Sequence, residues 1–179
     1  MVAGTHVFAA LAAAVSAGVT EPAALGVAAA GSLLPDLDCP GSLAGRFVPG
    51  SSLGRVGRLA AGALLGYLGW AKGDRVALAC GVLLAVVGLL EHRGLLHSLA
   101  ALGFAVWAVG RVAPGTGPAL AVGWGSHLAL DLLTPAGVPF LWPWGRRFSL
   151  PAVKTGSWAD RFLGVLFLAA AAWLWFRRV

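Results

Sequence analysis

Gly117-Pro118-Ala119-Leu120-Ala121-Val122-Gly123-Trp124-Gly125-Ser126-His127-Leu128-Ala129-Leu130-Asp131-Leu132-Leu133 reads as one apolar helix, opened by a proline, whose only ionisable residues are His127 and Asp131. An i, i+4 spacing puts these two side chains on one face, about 40° apart around the axis. Ionisable groups in an apolar helix are costly, by roughly 2.5–3.5 kcal/mol each on insertion scales, so they face protein and mark function. The pair could share a metal, or form a His–Asp hydrogen bond that joins helices.

The rest of the chain matches this helix in character. Of 179 residues 59% are hydrophobic and only 11% charged, and mean hydropathy is strongly positive, outside the composition of soluble domains. Apolar runs fall at 7 to 19, 23 to 34, 58 to 71, 75 to 90, 94 to 112, 117 to 133 and 160 to 176. A span takes ~20 residues, and several runs are shorter. The expected fold is therefore all-α, a polytopic transmembrane bundle of about five to seven helices, some half-spanning, in a single integral membrane domain, 1–179. Pro22 suits the first turn of the second helix. The first two runs, rich in Ala and Gly, suit a close hairpin.

The net charge of +6 is spread thinly over the connections, unlike a basic stripe with interleaved aromatics, so no nucleic-acid partner is expected. The charge suits loops against the lipid bilayer or a site that receives a phosphate. Phe140, Trp142, Trp144, Arg146 and Arg147 form an interfacial mixture. Cys39 and Cys80 form no CxxC pattern and read as packed thiols. The first arginine is Arg46, so the amino-terminal segment lacks the basic start of a secretory signal and is expected to be retained.

Threading the runs in order brings one rim of the bundle together. His6 opens the first run and Pro35-Asp36-Leu37-Asp38 closes the second. Glu91-His92-Arg93 closes the fourth, His127 and Asp131 end the sixth, and Asp160 begins the last. All 4 histidines converge there, with every carboxylate among the 7 except Glu21 and Asp74. Asp36 and Asp38 make a compact carboxylate pair that favours a bound cation, although a Pro-Asp turn also suits a solvated helix end. His92 and His97, about 140° apart on an ideal helix, can point together if the chain bends at Gly94. His97 is placed in the first turn of the next helix, with Ser98 beside it.

His6, Asp36, Asp38, His92, His97, His127 and Asp131 thus form a nitrogen and oxygen donor set for one or two divalent ions. Zinc suits the histidines best, with manganese or magnesium if carboxylates dominate. Arg93, helped by Arg146 or Arg147, would clamp phosphoryl oxygens. Asp160 or Glu91 would orient a ligand or act as general base. No GxSxG elbow or P-loop is present.

Three segments carry a family resemblance: Gly31-Ser32-Leu33-Leu34-Pro35-Asp36-Leu37-Asp38, His92-Arg93-Gly94-Leu95-Leu96-His97-Ser98-Leu99, and Gly125-Ser126-His127-Leu128-Ala129-Leu130-Asp131-Leu132-Leu133-Thr134. Together they resemble the YdjM-like (LexA-regulated) family of predicted membrane-bound metal-dependent hydrolases, from His6 to about Asp160. After Thr155-Gly156-Ser157 the family pattern carries a Glu, where this chain has Asp160. The resemblance implies a metal-binding, hydrolase-like membrane protein and fixes no substrate.

The expected function is hydrolysis of a phosphoester in a lipid or lipid-linked substrate. An ion or proton-coupled transporter would use the same acids and histidines, but should also line the opposite half with polar residues. A structural membrane protein would use them only to fix helix packing. The site rim carries Arg46, Arg55, Arg58, Arg93, Arg146, Arg147, Lys154 and Arg161, against Lys72, Arg75, Arg111, Arg177 and Arg178 opposite. The positive-inside rule then points the site to the cytoplasm, in an inner (plasma) membrane protein.

Overall fold

The structure, a computed structural model, describes residues 1–39, 41–89 and 93–178. Its regular elements are α1 (Ala3–Ser16), α2 (Pro22–Gly31), α3 (Gly54–Lys72), α4 (Arg75–Leu89), α5 (Leu99–Val112), α6 (Gly117–Leu132) and α7 (Trp158–Arg178), joined by short 3-10 turns. Among the described residues there is no strand, only one isolated antiparallel bridge between Val138 and Phe148.

Each helix occupies one of the seven apolar runs, and local chemistry sets the ends. Glu21 Oε2 accepts from the Ala24 amide at 2.6 Å, so α2 begins on an acidic cap with Pro22 in its first turn. Gly73 closes α3 in the left-handed region, with φ 68°. Asp74 Oδ1 accepts from the Ala77 amide at 3.0 Å and starts α4. The two acids expected away from the site therefore serve as helix caps. In α5 the Ser98 hydroxyl accepts from the Ala101 amide, and Leu95–His97 forms a separate 3-10 turn. The helix consequently begins at Leu99, so His97 lies in the turn before it rather than in its first turn.

Among the described residues only α7, with 21 residues, is long and apolar enough to cross a membrane. α1, α2 and α5 have 14, 10 and 14 residues.

The chain forms two compact units. The first joins Met1–Pro35 to Arg93–Val179. In it α6 packs against α1, α2 and α5, while α1 also packs against α2 and α7. Leu120, Trp124, Leu128 and Val138 form its main apolar cluster. Small residues permit the close approaches: Ala10, Ala14 and Ala28 are fully buried, and a Cβ on Gly123 would stand 2.0 Å from the Ala28 carbonyl oxygen.

Gly123→Ala should therefore force α2 and α6 apart and cost about 1–3 kcal/mol, read as a lower melting temperature in detergent. Gly125→Ala is the control, because its Cβ would meet nothing within 4 Å. It should be neutral or slightly stabilising, through better helix propensity. Equal melting of the two variants would refute this account of the α2–α6 contact.

The second unit covers Asp36–His92. Here α3 and α4 meet backbone to backbone: Cβ atoms on Gly62, Gly69 and Gly81 would lie 2.4, 2.3 and 2.2 Å from the Ala85, Leu78 and Gly66 nitrogens. Two helices this close need glycine at the crossing points. Cys39 is half-buried and Cys80 is exposed, so Cys80 is not the packed thiol expected from its apolar surroundings in sequence.

Candidate metal centre

The site lies in the first unit and centres on Asp131, near the end of α6 and 1% exposed. One turn earlier on the same face is His127. From α1 comes His6, whose ring stacks on that of His127 with centroids 3.8 Å apart and planes 15° from parallel. His97 enters from the turn before α5, edge-on to His127 at 5.2 Å. All three imidazoles are at most 1% exposed.

The ring nitrogens converge on the carboxylate. His6 Nε2 is 3.4 Å from Asp131 Oδ1, and His97 Nε2 and His127 Nε2 are 3.6 and 3.7 Å from Oδ2. His97 Nε2 and His127 Nε2 face each other at 3.3 Å. The other nitrogen of His127, Nδ1, pairs with the Ser32 carbonyl oxygen at 2.7 Å. If Nδ1 carries the proton, Nε2 is left as a lone-pair donor toward the cluster.

Within this set, His6, His127 and Asp131 are grouped closely enough that they could supply three ligands to one divalent cation. Two ligands each ~2.0–2.1 Å from a tetrahedral ion lie ~3.3–3.4 Å apart, close to the separations here. Among the described residues neither buried nitrogen of His6 has a hydrogen-bond partner. A buried imidazole in that state is costly, and coordination would satisfy it. Ligand atoms of His6, His127 and Asp131 all lie within 4.8 Å of one another.

Cationic groups complete the surroundings. Arg93 Nη2 is 3.0 Å from Asp131 Oδ2, while its Nη1 donates to the Thr134 hydroxyl at 3.2 Å and to the Gly137 carbonyl at 2.9 Å. Arg93 adopts φ 59°, uncommon for a residue with a side chain. The Met1 amino group donates to Asp131 Oδ1 at 2.7 Å.

Asp160, at the start of α7, is fully buried. It accepts from the Val2 amide at 2.9 Å, the Thr5 hydroxyl at 2.8 Å and the Gly156 amide at 2.8 Å. Its carboxylate thus ties the first turn of α1, and with it His6, to α7. Gly156 belongs to the Thr155-Gly156-Ser157 segment, whose turn delivers that amide.

Of the residues singled out in the sequence, His6, His97, His127 and Asp131 come together, with Arg93 against them. Asp36 and Asp38 belong to the second unit, in the 3-10 turn Leu34–Asp38, where Asp38 is 2% exposed and the Asp36 carbonyl accepts from the Ser42 hydroxyl. Glu91 and His92 lie outside the described residues. Arg146 and Arg147 are exposed. Thr5 and the Ser32 carbonyl were not anticipated. No local pattern signals either one, because their partners are 155 and 95 residues away.

A family profile described as YdjM inner membrane protein matches residues 1–179. The inner membrane protein YdjM of Escherichia coli (strain K12) is 38% identical over 93 residues, covering 46% of this chain and 47% of that protein. The protein of the same name from Shigella flexneri matches with the same identity and coverage. These alignments span about half the length of the curated relatives. No solved structure matches. With the profile running the full length of the sequence, the chain belongs to the YdjM inner membrane protein family.

Proposed function

We propose that the chain is a membrane-embedded, metal-dependent hydrolase acting on a phosphoester in a lipid or lipid-linked substrate. The observation that carries this reading is the buried meeting of three imidazoles and one carboxylate, in which neither His6 nitrogen has a hydrogen-bond partner and Nε2 lies 3.4 Å from Asp131 Oδ1. His6, His97, His127 and Asp131 would hold one zinc ion, with manganese or magnesium as alternatives. The ion would supply Lewis acidity and activate water for attack at phosphorus.

The chain's own residues do the remaining work. Asp131 keeps Arg93 at the site, and the guanidinium donors left over from Thr134, Gly137 and Asp131 would bind phosphoryl oxygens. The Ser32 carbonyl orients His127, and Asp160 holds the α1 turn that carries His6.

A multi-pass arrangement in the inner membrane suits the surface. α5 exposes Phe104 and Trp107, α7 exposes Val165 and Trp173, and α3 exposes Leu64, Tyr67 and Trp70, faces that lipid would cover. Within the first unit, Arg93, Arg146, Arg147, Lys154 and Arg161 flank the site end, while Arg111, Arg177 and Arg178 close the far ends of α5 and α7. That bias favours a cytoplasmic site.

Detergent-purified protein should contain close to stoichiometric zinc by elemental analysis and should release phosphate from phosphorylated lipids in a chelator-sensitive way. His127→Ala should abolish both while membrane insertion stays intact. A His127→Ala protein that kept full metal content would remove the ligand assignment. Wild-type protein with full metal and no phosphoesterase activity across lipid substrates would remove the reaction.

A further inference from the structure

In the first unit, the connection from α6 to α7 leaves the bundle as a closed hairpin. Val138 and Phe148 exchange backbone hydrogen bonds, each of 2.9 Å. Gly137 permits this closure: it adopts φ 64°, and a Cβ there would stand 2.5 Å from the Phe148 carbonyl oxygen. Toward the tip, the Trp142 amide donates to the Pro139 carbonyl and the Trp144 amide to the Leu141 carbonyl. The tip is thus a hydrogen-bonded turn of definite shape.

The base of the hairpin is tied to helix ends. Val138 is fully buried in the main apolar cluster. The Leu99 amide, first of α5, donates to the Phe140 carbonyl at 3.1 Å, and the Leu150 amide donates to the carbonyl of Leu132, last of α6, at 2.7 Å. The Ser149 hydroxyl donates to the Thr134 carbonyl at 2.7 Å. The hairpin therefore stands where α5 begins and α6 ends rather than on the flank of the helices. In an inner membrane protein, apolar helices end where hydrocarbon gives way to headgroups.

Its outward surface combines two features. Every residue from Leu141 to Ala152 is exposed, with Trp144 at 78% and Arg146 and Arg147 directly after it. Lys154 and Arg161 are exposed just beyond. Between Pro135 and Val165 the sole carboxylate is Asp160, which is buried and bonded to Val2, Thr5 and Gly156. The segment thus offers large aromatic surface together with positive charge that it does not itself neutralise.

We propose that the Val138–Phe148 hairpin is a docking element for anionic phospholipid, with Trp142 and Trp144 seated among the headgroups and Arg146 and Arg147 paired with their phosphates. Indole rings suit that level because an apolar body carries one N–H donor. Guanidinium groups bind phosphate oxygens through paired N–H donors, and an anionic surface attracts them as a zwitterionic one does not. Docking here needs no metal ion and is separate from the hydrolase reading.

The test reconstitutes the full chain into phosphatidylcholine vesicles that carry a small fraction of brominated phosphatidylglycerol or, in parallel, of brominated phosphatidylcholine. Trp144 emission is taken as the difference between wild type and Trp144→Phe. Phosphatidylglycerol should quench it as though enriched about tenfold over phosphatidylcholine, the scale expected for two cations at an anionic surface. Bromines near the glycerol should quench more than bromines at the chain end, and high salt should remove the enrichment.

Arg146→Gln combined with Arg147→Gln should bring the two lipids level. Arg111→Gln combined with Arg177→Gln removes the same charge from the far ends of α5 and α7 and should leave the preference within about twofold. All four arginines are exposed, so both double variants should melt as wild type does. The proposal is overturned if the two lipids quench wild-type Trp144 equally, if chain-end bromines quench it best, if the hairpin double variant keeps the preference, or if the far-end double variant loses it as fully.

Discussion

Asp131→Asn is expected to abolish metal retention and to destabilise the first unit by about 3–5 kcal/mol, the cost of breaking a buried ion pair by removing one partner. The substitution preserves shape and removes charge, so packing changes little. Arg93 at 3.0 Å and the Met1 amino group at 2.7 Å would both lose their anion while remaining inside. The three imidazoles would lose the carboxylate on which they converge, and an amide oxygen is a far poorer ligand for a divalent ion.

Thermal unfolding in detergent and elemental analysis read the two effects separately. His127→Ala should lose metal with a smaller loss of stability, because it strands no charge. The contrast between the two variants thus distinguishes an electrostatic hub from an ordinary ligand. An Asp131→Asn protein with wild-type melting and wild-type metal content would show that Asp131 does neither job.

Asp160→Ala should have the second large effect, and by a different route. Its carboxylate accepts from the Val2 amide, the Thr5 hydroxyl and the Gly156 amide. Each donor left without an acceptor costs about 1–3 kcal/mol, and because the three share one anchor the sum is taken as roughly 3 kcal/mol rather than the full total. The first turn of α1 would then loosen, carrying His6 with it.

Metal affinity should consequently fall about 10–100-fold, as for other groups that orient a ligand without touching the ion. Excess zinc should restore occupancy in Asp160→Ala and fail to do so in Asp131→Asn. Thr5→Val, which removes one of the three donors, should show a smaller loss in the same direction. If added zinc could not restore Asp160→Ala, Asp160 would belong to the ligand set itself. If its affinity were unchanged, the tie between α7 and His6 would be irrelevant to the site.

Much of the helical framework could be read directly along the chain. The apolar runs locate the seven α-helices of the described residues, because backbone hydrogen bonding and side-chain burial within a helix are satisfied between residues a few positions apart. The caps at Glu21, Asp74 and Ser98 act within three residues of themselves, so they too are local. The pairing of His127 with Asp131 follows from helical pitch alone. Short helices were expected among the runs, and among the described residues α7 alone reaches spanning length and composition.

Composition and local spacing therefore determined that this is an apolar, helical chain with its ionisable groups at helix ends and with His127 and Asp131 on one face. Tertiary structure decided which distant groups meet. His6 and His97 reach Asp131 because α6 packs against both α1 and α5, and close approaches such as Gly123 of α6 on Ala28 of α2, which no short stretch encodes, fix α6 in the same unit. It also made Asp160 an anchor for α1. The physical reason is range: helix pitch and capping act over a few residues, whereas these sites depend on close packing between segments separated by up to 158 residues.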